Sequence, residues 1–148
     1  MRATLVIASA FLALLTACAG ASYQKTAMPD TTSAVRADST RIYVGRRDQA
    51  TGSWRNVRVY DNDREVGVLG DGEYLCWDRP VGQGAAHFIF DGLEGGVEGF
   101  CELPAEAGGT VYIGVTIDRD KRKPTAVRVT EDEGRAALAK RKPAAPAK

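Results

Sequence analysis

The chain has 148 residues, with 20 Lys and Arg against 19 Asp and Glu, and 44% of its residues are hydrophobic. This composition excludes a disordered polyelectrolyte and a multi-pass membrane protein, and the length fits one globular domain. The net charge of +1 lacks the basic excess of nucleic-acid binders, and a single histidine leaves few ways to build a histidine-based site. We therefore expect no nucleic-acid partner, no metal, no cofactor and no enzymatic activity.

The first 17 residues have the features of a bacterial export signal. One positive charge, Arg2, precedes an apolar run of 11 residues from Leu5 to Leu15. As a helix this run is roughly 16 Å long, well short of the roughly 30 Å hydrocarbon core of a bilayer. The run is therefore interpreted as the apolar region of a cleaved signal peptide, residues 1–17, rather than as a permanent membrane span.

The four residues from Leu15 to Cys18, LTAC, resemble a bacterial lipobox. The resemblance implies that Cys18 is acylated and becomes the first residue of the mature chain. Ala19 stands where an aspartate would resemble an inner-membrane retention signal, so we expect a lipid anchor at the periplasmic face of the outer membrane. The alternative is an ordinary secretory signal followed by an incidental cysteine.

Residues 18–39 are predicted to be the lipidated cysteine and a flexible tether. The residues that follow Cys18 are small and polar, and they have no sustained apolar period. Met28-Pro29 interrupts any helix in this segment. We expect the tether to hold the folded domain clear of the membrane surface.

Between residues 40 and 130 the chain consists of short alternating runs, which are typical of β-strands. The clearest is Val111–Ile117, where every second residue is apolar and one face is therefore buried. Turn dipeptides such as Asp71-Gly72 separate the runs. Strands are predicted at Arg41–Gly45, Asn56–Asp61, Glu65–Gly70, Glu73–Asp78, Ala86–Asp91, Val97–Leu103, Thr110–Asp118 and Ala126–Thr130. The expected fold is all-β, a small antiparallel β-sandwich of about seven to eight strands.

Residues 131–148 are predicted to form a short C-terminal helix and then a disordered basic tail. Thr130 and Glu133 have the spacing of a capping box, and acids at the start with bases at the end complement the helix dipole. Leu138 is the one large apolar residue of this helix, so we expect it to dock weakly. From Pro143 onward we expect disorder.

The order of turn and core motifs along the body carries a family resemblance. The motifs are Arg41–Val44, Val57–Asp61, Arg64–Leu69, Gly72–Tyr74, Pro80 with Gly82, and Ala107–Ile113. From about Arg41 to Ile117 the chain resembles the bacterial lipoproteins that contain domain of unknown function 2846. Asn62 stands where that family usually has a hairpin glycine, and asparagine also accepts a positive φ. The resemblance implies a fold and an exported lipoprotein, and it implies no catalytic residues.

Cys76 and Cys101 are left once Cys18 is assigned to the lipid. Two cysteines in an exported domain usually pair, so we predict a Cys76–Cys101 disulfide. The loop that it would close corresponds to roughly 3.5 kcal/mol of chain entropy. The alternative is two separate buried thiols.

Four aromatic residues are candidates for a binding surface, and core packing is the alternative for each: Trp54, Tyr60, Tyr74 and Trp77. His87 lies in an apolar strand without a nucleophile motif nearby, and we interpret it as structural or as part of a rim. Asp61, Asp63 and Glu65 mimic the start of a calcium loop. The glycine and glutamate of such a loop are absent, so we interpret this segment as a solvated turn.

Charge is unevenly distributed along the body. Asp71 to Thr110 contains eight acids and one base, whereas Asp118 to Lys148 contains ten bases and five acids. One interpretation is a solvated tail that the acidic region partly neutralises. The other is a tail that binds anionic lipid, peptidoglycan or an acidic partner.

Together these features predict a lipid-anchored bacterial envelope protein that acts as a non-catalytic interaction or accessory module. Its expected partners are the membrane, through the lipid anchor, and an envelope protein or peptidoglycan. Two alternatives stay open, an envelope hydrolase and a purely structural spacer lipoprotein.

Overall fold

The computed structural model describes residues 28–47, 55–90, 98–104, 106–118, 120–121 and 123–144. This part of the chain contains nine strands and one helix. They are β1 (Ser39–Arg46), β2 (Val57–Asp61), β3 (Arg64–Leu69), β4 (Glu73–Pro80), β5 (Gly84–Phe90), β6 (Gly99–Leu103), β7 (Thr110–Asp118), β8 (Lys123–Val129), α1 (Glu131–Leu138) and β9 (Lys142–Pro143). Each of the eight strands predicted from alternation is present, with ends that differ by a few residues. Asp91 and Val97, where two of the predictions end or begin, lie outside the described residues.

The strands form two sheets, so the fold is an all-β sandwich. The five-stranded sheet has the order β8-β7-β1-β4-β9, and the four-stranded sheet has the order β3-β2-β5-β6. The four-stranded sheet is antiparallel throughout. In the five-stranded sheet β1 runs parallel to β7 and β4 runs parallel to β9, so this sheet is mixed rather than purely antiparallel.

The core lies between the two sheets and follows the two-residue period of the strands. Ile42 and Val44 of β1 are fully buried against the inner face of the four-stranded sheet, which includes Val59 and Phe88. At one side the two sheets approach closely. A Cβ at Gly99 would lie 2.4 Å from the carbonyl oxygen of Pro124, so the contact between β6 and β8 requires glycine there.

The hairpin between β2 and β3 turns at Asn62, which has a φ of 52°. This confirms that asparagine takes the left-handed conformation that the turn requires. The Asn62 side chain also accepts a hydrogen bond of 3.0 Å from the backbone N–H of Ala85, which ties the turn to β5.

The capping box of α1 is confirmed. The backbone N–H of Glu133 donates to Oγ1 of Thr130 at 3.4 Å, and the backbone N–H of Thr130 donates to Oε2 of Glu133 at 3.0 Å. The helix lies on the outer face of the five-stranded sheet, the face turned away from the other sheet. It packs there through Gly134 as well as Leu138, so its docking does not depend on the single large apolar residue.

The tail after α1 is ordered as far as Ala144, which corrects the expectation of disorder from Pro143. The N–H of Lys142 donates to the carbonyl of Gly72 at 3.2 Å, and the N–H of Ala144 donates to the carbonyl of Tyr74 at 2.8 Å. The open edge of β4 supplies these partners, so a segment without apolar alternation still becomes a strand. Residues 145–148 lie outside the described residues.

The end of the predicted tether contacts the domain. The guanidinium of Arg41 donates to the backbone carbonyls of Asp30, at 3.1 Å, and Ser33, at 2.8 Å. The same group forms two hydrogen bonds to Asp78, of 2.7 and 2.9 Å. Residues 30–33 therefore belong to the folded body, and its boundary lies nearer the N-terminus than residue 39. The rest of the tether before Met28 lies outside the described residues.

Candidate functional site

The aromatic residues predicted from the sequence do not form one surface. Tyr60 lies on the outer face of the four-stranded sheet, whereas Tyr74 lies on the outer face of the five-stranded sheet. Trp77 is buried in the core and is not a binding residue, because it has the same inward parity on β4 as Leu75. Trp54 lies outside the described residues.

Trp77 instead takes part in a buried polar network at one end of the sandwich. Its indole Nε1 donates to Oδ2 of Asp61 at 2.9 Å, and Nε of Arg79 lies 3.2 Å from the same oxygen. Nη1 of Arg79 also donates to the carbonyl of Gly82 at 3.0 Å. Asp61 is thus a buried acceptor, which corrects its interpretation as part of a solvated turn. The network joins the two sheets at this end of the core, although Oδ1 of Asp61 and Nε of Arg79 are buried without a hydrogen-bond partner among the described residues.

A second arginine, Arg46, is buried at the other end of the core. Nη1 of Arg46 donates to the carbonyls of Arg55 and Leu69, and its Nε lies 3.7 Å from Oδ1 of Asp71. Burial lowers the pKa of Arg46. The sequence analysis did not identify Arg46 or Arg79 as buried. Each arginine falls at an inward position of its strand, and this two-residue alternation could have indicated its burial.

The predicted Cys76–Cys101 disulfide is wrong, because both residues are free thiols. Cys76 lies on the outer face of the five-stranded sheet with Tyr43 and Tyr112, whereas Cys101 lies in the core between the sheets. Burial raises the pKa of Cys76 to about 12 and also raises that of Cys101. Both are therefore protonated and unreactive at neutral pH. Cys18 lies outside the described residues.

The outer face of the four-stranded sheet carries a line of side chains that crosses three strands. Register places Tyr60 of β2 opposite His87 of β5, and His87 opposite Phe100 of β6. We call Tyr60, His87 and Phe100 the aromatic row. The rings of His87 and Phe100 meet edge to face, with centroids 5.5 Å apart, and Phe100 is 54% exposed. A shallow cavity of about 360 Å³ lies beside Tyr60 and His87 and extends past Asn62 and Ile89.

His87, the single histidine of the chain, is paired with a carboxylate at the aromatic row. Nδ1 of His87 hydrogen-bonds to Oε1 of Glu98, which orients the imidazole as in many catalytic pairs. The thiol nearest in sequence, Cys101, is on the opposite face of β6 and is buried in the core. Across the described ranges, no group of three or more His, Cys, Asp or Glu is placed to hold a metal ion.

A second concave region lies between α1 and the outer face of the five-stranded sheet, and we call it the helix groove. Its volume is about 370 Å³. Apolar side chains line most of it, including Val127, Val129 and Leu138, and Val127 is 54% exposed. Arg47 and Arg141 lie at its rim. Of the aromatic candidates within the described residues, Tyr60, Tyr74 and Trp77 do not line the helix groove.

One wall of the helix groove is a stacked pair of tyrosines. The rings of Tyr43 and Tyr112 are nearly parallel, with an interplanar angle of 7° and centroids 5.2 Å apart. Burial, with the nearby Cys76 as a smaller contribution, raises the pKa of Tyr43 to about 12. The pair presents a fixed, neutral aromatic surface to the groove.

Comparisons with known proteins identify no family for this chain. No family model and no curated protein matches the chain. A solved structure, the NMR structure of a protein from Eubacterium rectale, is similar with a TM-score of 0.41 and 13% identity, covering 64% of this chain and 92% of that one. In the part of the chain that the structure describes, no helix is long and apolar enough to cross a bilayer.

Proposed function

We propose that this protein is a non-catalytic interaction module of the bacterial envelope that binds a partner protein through the aromatic row. The observation that carries the proposal is the exposure of this row on the outer face of the four-stranded sheet. Phe100 is 54% exposed in the middle of a regular strand, where its ring contributes nothing to the core. Exposed aromatic clusters of this kind are typical of interfaces, where tyrosine and other aromatic residues dominate the binding energy.

The two outer faces of the sandwich differ in a way that supports this proposal. α1 packs on β7 and β1, so it covers part of the five-stranded sheet and none of the opposite face. On the four-stranded sheet, Tyr60, His87 and Ile89 are only half-buried. A partner surface that covered them would bury their apolar area at about 25 cal/mol per Å².

The charge around the row indicates the chemistry of the partner. Glu98 hydrogen-bonds to His87, Glu102 points outward from β6, and Asp63 lies in the exposed β2–β3 turn. Arg58 stands opposite Ile89 on the same face and pairs with Glu65 at 3.5 Å, so the rim is acidic on the side of Asp63, Glu98 and Glu102. This part of the rim fits a partner whose contact surface is apolar at its centre and basic at the facing edge. We therefore infer a protein partner with a basic rim rather than peptidoglycan.

The proposed attachment is a lipid anchor on Cys18 at the periplasmic face of the outer membrane. The export signal and the LTAC lipobox support it, as does the order of motifs shared with the lipoproteins named above. Two or three acyl chains, each contributing about 0.8 kcal/mol per buried CH₂, are enough for stable membrane binding. Replacing Cys18 with Ser should leave unprocessed precursor without incorporated palmitate. Normal processing and acylation of that variant would disprove the anchor.

Site-specific photo-crosslinking in living cells tests the docking proposal. A benzophenone side chain introduced at Ile89, beside the aromatic row, should give one adduct of defined mass with a protein. The same group at Lys121, in the turn between β7 and β8, is the matched control and should not give it. Phe100→Asp should abolish the Ile89 adduct, and because Phe100 is exposed this change leaves the core intact.

Three outcomes contradict a protein partner at this face. The adduct could form equally from Lys121, it could persist in Phe100→Asp, or no protein adduct could form from Ile89. A lysozyme-sensitive ladder of adducts would identify peptidoglycan as the partner in place of a protein.

A further inference from the structure

The helix groove has the shape and charge of a small ligand site, and it is separate from the aromatic row. We propose that it binds a single-chain amphiphile with an anionic headgroup, the apolar chain in the groove and the headgroup on its basic rim. The proposal does not depend on the docking function, because the two sites lie on opposite faces of the sandwich.

The groove exists because one outward position of β7 has no side chain. Tyr112, Gly114 and Thr116 point to the same face, and Gly114 leaves the space between its neighbours open. A Cβ at Gly114 would lie 3.6 Å from Cγ1 of Val129, which is ordinary van der Waals contact. The backbone therefore tolerates a side chain at this position. The open volume of about 370 Å³ falls within the range of small-molecule sites.

The walls of the groove suit a hydrocarbon chain. Val127 and Val129 of β8 line one side, and Ala137 and Leu138 of α1 line the other. Val127 is 54% exposed although it lies in a regular strand. A hydrocarbon chain in contact with it would remove apolar surface from water.

The rim of the groove is basic. Arg47 and Arg141 line the groove and also line an adjoining cavity of about 360 Å³, to which Lys140 contributes. The other described residues that line the adjoining cavity are glycine and alanine, so within the described ranges no acid lines it beside the three cations. Arg and Lys side chains clustered in this way bind carboxylate or phosphate groups.

Arg141 is held in place for such a contact. Its Nε donates to the backbone carbonyl of Arg46 at 2.7 Å, and its side chain lies across Gly45, where a Cβ would stand 3.2 Å from its Cδ. The carbonyl uses one N–H and leaves the terminal nitrogens for a ligand. Partial burial and, as a smaller contribution, the nearby positive charge of Arg47 lower the pKa of Arg141.

Glu133 is the one acid among the described residues that line the groove, and it is already engaged. Its carboxylate accepts hydrogen bonds from the backbone N–H of Thr130 at 3.0 Å and from the Thr130 hydroxyl at 2.8 Å. These bonds complete the capping box of α1, so Glu133 is fixed at the helix start. An anion at Arg47 and Arg141 would therefore meet two cations that the capping carboxylate does not bind.

Isothermal titration of the full chain with decyl phosphate, below its critical micelle concentration, tests the proposal. Cys18→Ser is included in every sample so that no attached acyl chain competes for the groove. We expect one decyl phosphate bound per chain. Inorganic phosphate supplies the charge alone and decyl maltoside the chain alone, and each should bind at least about tenfold more weakly.

Two pairs of variants localise the binding. Gly114→Leu should fill the groove and weaken binding at least about tenfold, and Gly114→Ala should give a smaller loss without disturbing the fold. Arg47→Gln should weaken binding of decyl phosphate about fivefold to tenfold, whereas Lys121→Gln, which removes a distant charge, should leave it unchanged.

Defined results would overturn the proposal. If both Gly114 variants bind decyl phosphate as tightly as the parent, the ligand does not bind in the helix groove. Equal binding of inorganic phosphate shows a simple anion site. Binding to anionic phospholipid vesicles without binding of monomeric decyl phosphate shows a membrane surface contact in place of an amphiphile site.

Discussion

Gly134 of α1 lies directly on the ring of Tyr112 in β7. A Cβ at position 134 would stand 2.3 Å from Cγ of Tyr112, closer than any real contact, so the helix approaches the sheet through a position that must lack a side chain. Tyr112 in turn stacks on Tyr43 of the central strand β1. Glycine disfavours a helix by about 1 kcal/mol relative to alanine, so its presence here reflects docking rather than helix stability.

Gly134→Ala should therefore destabilise the protein although alanine favours the helix. The steric conflict with Tyr112 costs about 1–3 kcal/mol, which exceeds the helix gain of about 1 kcal/mol. Urea unfolding should show a lower midpoint, and the near-UV circular dichroism of the tyrosines should change. Ala136→Ser, on the exposed side of α1, should stay within about 0.5 kcal/mol of the parent. Higher stability for Gly134→Ala would show that the helix is not docked through this contact.

The strands could be predicted from the sequence, because a half-buried strand alternates visibly. Which residues of β4 face the core could not be predicted from the sequence. Tyr74, Leu75, Cys76 and Trp77 form a continuous apolar run, since one side of β4 packs on the core and the other under α1. A strand buried on both faces gives no alternation, so the opposite directions of Cys76 and Trp77 are hidden. The mistaken disulfide and the mistaken binding role of Trp77 have this common cause.

Strand pairings between distant segments could not be predicted from the sequence either. The parallel contact of β1 with β7 and the short strand β9 depend on which edges meet in three dimensions, and neither leaves a local pattern. Only part of the aromatic row could be predicted from the sequence. Tyr60 was a candidate, whereas Phe100 was not, because its exposure on β6 depends on which face of that strand turns inward.

Asp61→Ala should be among the most destabilising single changes in the domain. It leaves the buried guanidinium of Arg79 without its carboxylate and the indole of Trp77 without its acceptor. Breaking a buried pair by removing one partner costs about 3–5 kcal/mol. Chemical denaturation measures the loss. Asp63→Ala, two residues further on and exposed, is the matched control and should cost under about 0.5 kcal/mol. Equal effects of the two changes would refute the network.

The free thiols lead to a prediction about reduction and alkylation. Because Cys76 and Cys101 are buried and unpaired, a reductant should leave the melting temperature unchanged. Both thiols should resist iodoacetamide at pH 7.5 in the folded protein and react after unfolding, since their raised pKa values keep them protonated. A melting temperature lower by several degrees on reduction would instead show that Cys76 and Cys101 form a disulfide.

Alkaline pH should destabilise the fold through Cys76 and Tyr43. Burial raises the pKa of Cys76 from 9.0 to about 12 and that of Tyr43 from 10.0 to about 12. Above pH 9 the unfolded chain loses these protons while the folded chain keeps them, so stability is complete below pH 9 and falls as pH rises toward 12. The slope is at most about 1.4 kcal/mol per pH unit for each group. Cys76→Ala should flatten the decline between pH 9 and 12, and an unchanged slope would contradict the assignment.

The C-terminal segment offers a test that separates a folded role from a solvated tail. Besides two hydrogen bonds at the end of α1, truncation after Ala139 removes the three that tie the segment to the rest of the domain, from Arg141 Nε to the Arg46 carbonyl and from the N–H groups of Lys142 and Ala144. A typical hydrogen bond contributes about 1 kcal/mol net, so we expect a loss of about 1–3 kcal/mol and a melting temperature lower by at least about 4 °C. Truncation after Ala144 keeps all three bonds and should leave stability within about 0.5 kcal/mol. If both truncations melt like the parent, the segment is a solvated tail. A selective loss for the shorter chain shows that this basic segment closes the edge of β4.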